Sequence, residues 1–351
     1  MVTQQQLARA VGLSQTAVSM ALRNSSAVSR ATVRRVQAAA RRLGYRPNPL
    51  ISALMAQRLS GSSSRFRAKL AFLTPFSPRE AWRHSSYAAG CFAGAQAAAR
   101  ARGYLCEAIW TAEPGRSRDR LSQILWTQNV QGLIIEPLQV DQPPLTLDWS
   151  RFAAVSLDYS LADPELHRVV DDHAFGIERV LEEVSRLGYR RPGLVIRAVQ
   201  DVRTHHSRLG VFLVQRRLHP EWTEVAPLVL PSDQWDTQRF VEWLRRERPD
   251  VILTEETQVP ATVQAAGLRV PRDVGIAFFH KEEPVRHLSG LQVDSREVGA
   301  TAASILMRLV EMNDRGPPTV PTTTLVKAFT WNPGTTLCRR PASGARRTNF
   351  P

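Results

Sequence analysis

The sequence predicts an N-terminal all-α helix-turn-helix head with a hinge helix, followed by an α/β two-lobed domain with parallel sheets. The first observation is a set of short amphipathic helical patterns, separated by glycine turns, within the first 46 residues. The second is a concentration of positive charge in the same part of the chain. The third is an alternation of short apolar runs and longer helical patterns from residue 69 onward, in two successive sets.

Length and composition support several folded units. A chain of 351 residues is longer than a domain with a single hydrophobic core usually is. Its 43% of hydrophobic residues are enough to form the cores of several domains. It has no apolar run of about 18 residues that could cross a bilayer. The opening lacks the basic-then-apolar order of a secretory signal, so we expect a cytoplasmic protein with no membrane partner. Cys91, Cys106 and Cys338 lie far apart without a C-x-x-C motif, which favours a packing role.

The positive charge belongs to one end of the chain. Residues 1–79 carry thirteen basic side chains and no carboxylate, because Glu80 is the first acidic residue. The chain has 46 basic residues in all, so 33 fall in the remainder, against 32 acidic ones. Such a segment attracts a polyanion, nucleic acid first and an anionic membrane second. A compositional bias toward arginine is the simpler alternative, but it would not remove every carboxylate from 79 consecutive positions.

The first two helices have helix-turn-helix spacing. Thr3-x-x-Gln6 is a capping pattern for a helix over about 4–11, which ends at Gly12. Ser14 can then cap a second helix over 15–23. The residues predicted to face inward are Leu7, Ala8 and Val11 on the first helix and Val18, Ala21 and Leu22 on the second. Such spacing also occurs in ordinary small bundles, so by itself it is only moderately specific.

A third helix and a short fourth one are expected next. Ser29 caps the third, whose buried stripe is Val33, Val36, Ala40 and Leu43. Asn48 and Pro49 are built to begin a helix of about eight residues, too short to be stable alone. Its Leu54 and Met55 resemble apolar wedges that open minor-groove base steps. The alternative is that these side chains dock onto the larger domain.

From about residue 69 onward, the alternation of strand and helix patterns predicts the fold. The predicted elements, strands and helices together, are 70–74, 85–102, 105–110, 116–128, 132–136, 152–158, 169–171, 173–187, 192–197, 207–218, 226–230, 237–247, 251–254, 259–266 and 274–279. Two runs of this kind fit two lobes with parallel sheets. In such sheets ligands lie beyond the carboxyl ends of the strands, here in the cleft between the lobes.

Three groups of residues resemble the headpiece and hinge of the LacI/GalR (lactose-repressor) family of bacterial transcriptional regulators. They are Val18-Ser19-x-Ala21-Leu22, Val28-Ser29-x-x-Thr32-x-x-x-Val36 and Leu43-Gly44-Tyr45-x-Pro47-Asn48. A weaker resemblance to a type I periplasmic-binding-like effector domain covers nearly all the rest, through motifs such as Leu187-Gly188-Tyr189-Arg190-Arg191 and Val270-Pro271-x-Asp273-Val274.

This resemblance implies roles in DNA binding. Gln15, Thr16 and Met20 stand where the family's recognition helix reads base edges, and Asn48, Ile51, Leu54 and Met55 are the hinge residues of the minor groove. Candidate phosphate contacts are Ser14, Ser19, Arg9, Arg23, Arg30, Arg34 and Arg35. Met20 departs from the arginine that is frequent there, so an apolar contact with a thymine methyl would replace a guanine contact. Pro49 and Ile51 are bulkier than is usual at hinge positions.

The resemblance also implies an effector site, with departures. Its candidate residues are Trp82, Tyr87, Asp158, Arg208, Trp235, Glu255 and His280. The family's arginine slot falls on Ser207, one position before Arg208, Glu255 stands where Asn is usual, and His280 replaces an aspartate. The effector is therefore expected not to be a simple neutral sugar bound in the usual way, and it could be absent or replaced by a protein. His280 could equally be an interior histidine beside Phe278 and Phe279.

The predicted organisation has four parts. They are a head at 1–46, a hinge helix and linker at 47–66, a two-lobed effector-binding and dimerisation domain at 67–338, and a disordered basic tail at 339–351. Within the third part the N-lobe is expected at about 67–160 and 286–320, and the C-lobe at about 161–285 and 321–338, with three crossings.

The predicted function is transcriptional regulation through an operator. We expect a homodimer, acting as a repressor, that binds a pseudo-palindromic DNA operator and responds to a small-molecule effector. The alternative is a solute-binding module without a regulatory role, which the basic head argues against. No nucleophile and base set or phosphate-binding loop indicates an enzyme, no cofactor is expected, and neighbouring pairs such as His205-His206 are poor metal ligands.

Overall fold

The computed structural model describes residues 4–22, 28–43, 68–112, 118–138, 144–231, 234–281 and 285–341. The predicted hinge at 47–66 therefore lies outside the described residues. Among those described, no helix is long and apolar enough to cross a membrane.

The head contains three helices around a small core. They are α1 (Gln4–Val11), α2 (Gln15–Leu22) and α3 (Arg30–Leu43). Their buried side chains are Leu7, Ala8, Val18, Ala21, Val36, Ala39 and Ala40, with Val11, Leu22, Val33 and Leu43 partly buried beside them. The predicted helices and inward faces agree closely with this arrangement, because each helix is too short to bury more than one stripe.

Serine caps begin two of these helices as predicted. The Ser14 Oγ accepts a hydrogen bond from the Ala17 N–H at 3.1 Å, and the Ser29 Oγ accepts one from the Thr32 N–H at 3.2 Å. Gly12 separates α1 from α2 with a φ of 63°, a left-handed conformation that glycine adopts without strain. The tight turn between the first two helices thus follows directly from the sequence.

Two six-stranded sheets form the rest of the described chain. The strands are β1 (Lys69–Thr74), β2 (Leu105–Trp110), β3 (Val130–Ile135), β4 (Ala153–Leu157), β5 (His167–Asp171), β6 (Pro192–Arg197), β7 (Leu228–Leu230), β8 (Val251–Thr254), β9 (Gly275–Lys281), β10 (Gly290–Val293), β11 (Thr323–Val326) and β12 (Phe329–Asn332). One sheet has the order β11-β5-β4-β3-β1-β2 and the other β12-β10-β9-β8-β6-β7. All their pairings are parallel except β10 with β12.

The helices cover these sheets. They are α4 (Ser86–Ala101), α5 (Arg118–Thr127), α6 (His173–Arg186), α7 (Ala198–Arg203), α8 (Ser207–Leu218), α9 (Thr237–Glu247), α10 (Val259–Ala265) and α11 (Ser295–Met312). Helices α4 and α11 approach very closely, since a Cβ on Gly94 would lie 1.9 Å from the Arg296 carbonyl oxygen. Cys91 on α4 and Cys106 on β2 are buried in the core between these helices and the sheet, in the packing role that the sequence predicted.

The lobe boundaries differ from the predicted ones. We call the first sheet with its helices the N-lobe and the second the C-lobe. Strand β5 pairs with β4, so the first crossing follows residue 171 and not 160. Strand β10 pairs with β9, and β11 returns to β5, which moves the other crossings to about 294 and 327. The predicted boundary was wrong because it assigned residues 169–171 to the same lobe as the helix that follows them. The lobe of a parallel strand is set instead by the strands that it pairs with, here β4 and β11, which are not adjacent to that helix in the chain.

The final described residues are also ordered, contrary to the expectation of a disordered tail from residue 339. The Arg340 N–H donates to the Leu187 carbonyl at 2.7 Å, and its guanidinium donates to the Arg272 carbonyl at 2.7 Å. The same guanidinium lies over the Tyr189 ring, 4.8 Å from its centroid. Arg340 therefore fastens the chain to the C-lobe, while residues 342–351 lie outside the described part.

Candidate functional site

Exposed basic and polar side chains occupy the surface of the head. Gln15, at the start of α2, is exposed and Met20 is half-buried, while Val18 and Ala21 face the core. The head contains no carboxylate, so its arginines have no acidic partner within it. Four predicted phosphate contacts are exposed: Arg9, Arg30, Arg34 and Arg35. Such a surface suits a phosphate backbone.

Two of the predicted DNA-contacting side chains also hold the head together. Arg35 donates from Nη2 to the Val11 carbonyl at 3.2 Å, at the end of α1. Ser14 is engaged as the cap of α2. Thr16 and Ser19 lie within α2. Arg23 and the hinge residues Asn48, Ile51, Leu54 and Met55 fall outside the described residues.

A cavity of about 510 Å³ lies between the two lobes, at the carboxyl ends of their strands. Its size is typical of a small-molecule site, and its position is the one expected for parallel sheets. Five of the seven predicted effector residues line it: Tyr87, Asp158, Arg208, Glu255 and His280. Arg208 itself reaches the cavity, whereas the Ser207 hydroxyl donates to the Thr204 carbonyl at 2.7 Å.

The two predicted tryptophans do not line this cavity, which corrects the expectation. Trp82 is 4% exposed and its ring packs edge-on against Phe92, at 5.1 Å between centroids. Trp235 packs against Phe240 in the C-lobe core, at 5.0 Å. Both indoles gain more from burial among apolar neighbours than from a position on a polar cavity wall.

The N-lobe wall is acidic. The Tyr87 hydroxyl donates to Asp171, and burial followed by the Asp171 charge raises the pKa of Tyr87 well above its usual value. Burial also raises the pKa of Asp158, although the Tyr159 N–H and the Arg203 guanidinium oppose the effect. Glu136 is 2% exposed, and burial raises its pKa to about 8. The Glu136 carboxyl is therefore largely protonated at neutral pH.

The C-lobe wall is basic and its charges are largely paired. Arg208 Nη1 donates to both Glu255 carboxylate oxygens, at 2.6 and 2.7 Å. Arg197 donates to Glu256 at 2.6 Å. Burial, and then the positive charge of Arg208, hold the pKa of His173 well below its usual value. This wall presents ion pairs and a neutral imidazole to the cavity.

The side chains of Arg203 and His280 reach across the cleft from the C-lobe. Arg203 donates to the Leu138 carbonyl at 3.1 Å and approaches Asp158 Oδ2 at 3.4 Å. His280 Nε2 lies 3.7 Å from Asp171 Oδ2. His280 is therefore a residue of the cleft and not an interior histidine packed only against Phe278 and Phe279. These contacts join the two lobes, so their lengths depend on the separation of the lobes.

Sequence reasoning missed several cavity residues. They are Phe76, Glu136, Asp171, His173, Arg197, Arg203 and Lys281, among others. A usable signal was present for Glu136, Asp171 and Arg197, because each lies at or just after the carboxyl end of a predicted strand. Arg203 belongs to α7, a helix that the apolar pattern did not indicate.

Comparison with protein-family models gives two matches. The model for bacterial regulatory proteins of the lacI family matches residues 3–48, which include the head. A model for a periplasmic binding protein-like domain matches residues 181–336.

Curated relatives are transcriptional regulators. The HTH-type transcriptional regulator PtxS of Pseudomonas plecoglossicida is 28% identical over 213 residues, 60% of this chain and 58% of that protein. PtxS of Pseudomonas aeruginosa is 26% identical over 214 residues, again 60% of this chain and 58% of that protein. The matched region thus spans less than two thirds of these relatives.

Solved structures share the fold. The transcriptional regulator CelR in its cellobiose complex has a TM-score of 0.58 and 20% identity, over 96% of this chain and 100% of that one. The lac repressor dimer bound to operator and the anti-inducer ONPF has a TM-score of 0.54 and 19% identity, over 96% and 99% of the two chains. Both likenesses extend over nearly the whole of this chain, so they concern the fold of the head together with the two lobes.

Proposed function

We propose that the chain is a transcriptional repressor of the lacI family, controlled by a small-molecule effector. We propose that it binds a pseudo-palindromic operator as a homodimer, in the cytoplasm, where the chromosome lies. The observation that carries this proposal is the carboxylate-free three-helix head, whose described residues expose Gln15 and five arginines and which matches the family model over residues 3–48.

In this proposal α2 lies in the major groove. Gln15, Thr16 and Met20 read base edges, and Gln15 can pair bidentately with adenine. Arg9, Arg23, Arg30, Arg34 and Arg35, with Ser14 and Ser19, hold the head in register on phosphates. One head covers only a few base pairs, so two heads related by a two-fold axis double the contacts.

The cavity between the lobes supports control by an effector. Tyr87, Asp158, Arg208, Glu255 and His280 would contact it, since they converge on one space of about 510 Å³. A ligand there competes with the Arg203 and His280 contacts that cross the cleft. Effector binding changes operator affinity only if the ligand prefers one separation of the lobes.

The proposed hinge transmits this change. Residues 49–57 would form a helix only when paired and buried in the minor groove, with Leu54 inserted between base steps. Moving the lobes raises the cost of forming that helix. The division into a head at 1–46, a hinge at 47–66 and an effector domain at 67–338 is part of the proposal.

A mobility-shift titration on DNA from upstream of the chain's own gene tests this function. We expect a specific complex that survives competitor DNA, and Gln15→Ala should weaken it by about 1–3 kcal/mol. Leu54→Ala should weaken operator binding by a similar amount of about 1–3 kcal/mol while leaving nonspecific binding nearly unchanged. Glu224→Gln, an exposed C-lobe substitution, is the control. Failure of the full chain to prefer any upstream segment over competitor DNA would refute the proposal.

A further inference from the structure

Three carboxyl groups form a row on the N-lobe wall of the cavity. Glu136 follows β3, Asp158 follows β4 and Asp171 ends β5, and these strands are neighbours in the sheet. Adjacent strands lie about 4.8 Å apart, so the row extends over roughly 10 Å. All three residues line the cavity.

Each member of the row has a buried acceptor with no hydrogen-bond partner. These atoms are Glu136 Oε2, Asp158 Oδ1 and Asp171 Oδ1. Glu136 and Asp171 are each only 2% exposed. Buried carboxyl oxygens without partners are costly, so they indicate that a ligand supplies the missing donors.

The opposite wall has little to offer an anionic ligand. Arg208 is held by Glu255, and Arg197 by Glu256, at distances of 2.6–2.7 Å. The Lys281 ammonium donates to the Leu288 carbonyl at 2.8 Å. One buried donor, Arg208 Nε, is without a partner and suits a hydroxyl oxygen. A carboxylate ligand would have to displace ion pairs that are already formed.

We propose that the effector is a polyhydroxylated primary amine, whose ammonium lies against Asp158 and Asp171 while its hydroxyls donate to Glu136 Oε2 and accept from Arg208 Nε. This inference rests on the cavity being the effector site of the proposed function. The ammonium supplies donors and a positive charge to two neighbouring carboxylates, and a ligand hydroxyl supplies the donor that Glu136 Oε2 lacks.

Calorimetric titration of the full chain at pH 7 tests this selectivity with three linear six-carbon probes. They are 1-amino-1-deoxysorbitol, sorbitol and gluconate, which share their hydroxyl chain and differ at C1 as ammonium, hydroxyl and carboxylate. We expect the amine to bind about tenfold more tightly than sorbitol, because charge-assisted hydrogen bonds are about twice as strong as neutral ones. Gluconate should bind most weakly. Equal or tighter binding of sorbitol or gluconate, or no detectable binding of the amine, would overturn the proposal.

Matched variants locate the preference. Asp158→Asn and Asp171→Asn keep the shape of the wall and remove charge, so each should reduce the ratio of amine to sorbitol affinity. Glu224→Gln, 79% exposed in its side chain and outside the cavity lining, should leave the ratio unchanged. A ratio that survives both substitutions in the row would place the ammonium elsewhere and contradict the proposal.

The outcome is separable from that of the proposed function. The calorimetric titrations need no DNA. If the order of the three ligand affinities is inverted while the chain still forms a specific operator complex, only the proposed ligand class is refuted. If the chain binds no operator while the three ligands bind in the expected order of affinity, only the regulatory role is refuted. Should a variant fail to give the wild-type thermal transition, the wild-type series still decides between the three ligand charges.

Discussion

Glu136→Gln should change how the stability of the protein depends on pH. Glu136 follows β3, is 2% exposed, and burial raises its pKa from its ordinary 4.5 to about 8. Between these two values the folded protein keeps a proton that the unfolded chain has released. Stability is therefore lost as the pH rises from about 4.5 to 8, because the folded state then binds more protons than the unfolded state.

The magnitude follows from the width of this interval. Each pH unit within it costs at most about 1.4 kcal/mol, so about 3.5 units give an upper bound near 5 kcal/mol. Glutamine does not ionise and lacks this dependence. Relative to the wild type, the variant should therefore gain stability steadily from pH 5 to pH 8 and level off above it.

Urea unfolding at pH 5, 6, 7, 8 and 9 measures this difference directly. Subtracting the variant's free energy of unfolding from that of the wild type cancels the other titrating groups. Glu224→Gln, whose exposed carboxylate pairs with Arg216, should give a difference that is nearly flat over the same range. A flat profile for Glu136→Gln as well would show that the carboxyl is ionised or hydrated in the folded state, and the account of the acidic wall would fail.

Three further predictions concern the other charged and capping groups. Arg208→Ala leaves the Glu255 carboxylate without its partner and should cost about 3 kcal/mol in urea unfolding, whereas a loss below about 1 kcal/mol would contradict a buried pair. Ser14→Ala removes the cap of α2 and should cost about 1 kcal/mol, seen as roughly fivefold faster hydrogen exchange of α2 amides; unchanged exchange would argue against the cap. If the dimer neutralises at least about six phosphates, operator affinity should fall roughly a thousandfold between 50 and 200 mM salt. Arg34→Ala should reduce the slope of log affinity against log salt concentration by about two per dimer. An unchanged slope would exclude Arg34 from phosphate contact.

Local sequence signals predicted the head almost residue by residue. Ser14, Ser29 and Gly12 fix helix ends through backbone hydrogen bonds and left-handed geometry within a few residues. Most strands and helices of the lobes were equally accessible, because apolar periodicity is a local property. The pattern missed helix α11 and the C-terminal strands β10 to β12. These strands are short, and β11 and β12 are only partly buried.

The candidate effector site was predicted only in part. Resemblance to the family pointed to Tyr87, Asp158, Arg208, Glu255 and His280, and the cavity contains all five. It also pointed to Trp82 and Trp235, which the apolar cores bury instead. Glu136 and Asp171 were missed because their importance depends on the strand order, which places their strands on either side of β4.

The sequence by itself determined which segments are helix or strand, and it concentrated the positive charge in a carboxylate-free head. Both properties depend on residues close together in the chain. Only the tertiary structure decided where the chain crosses between lobes, and which carboxyl groups share one wall while their basic counterparts are paired on the other. Those features depend on contacts between residues far apart in sequence, such as Arg208 with Glu255 and His280 with Asp171, whose energies no local pattern encodes.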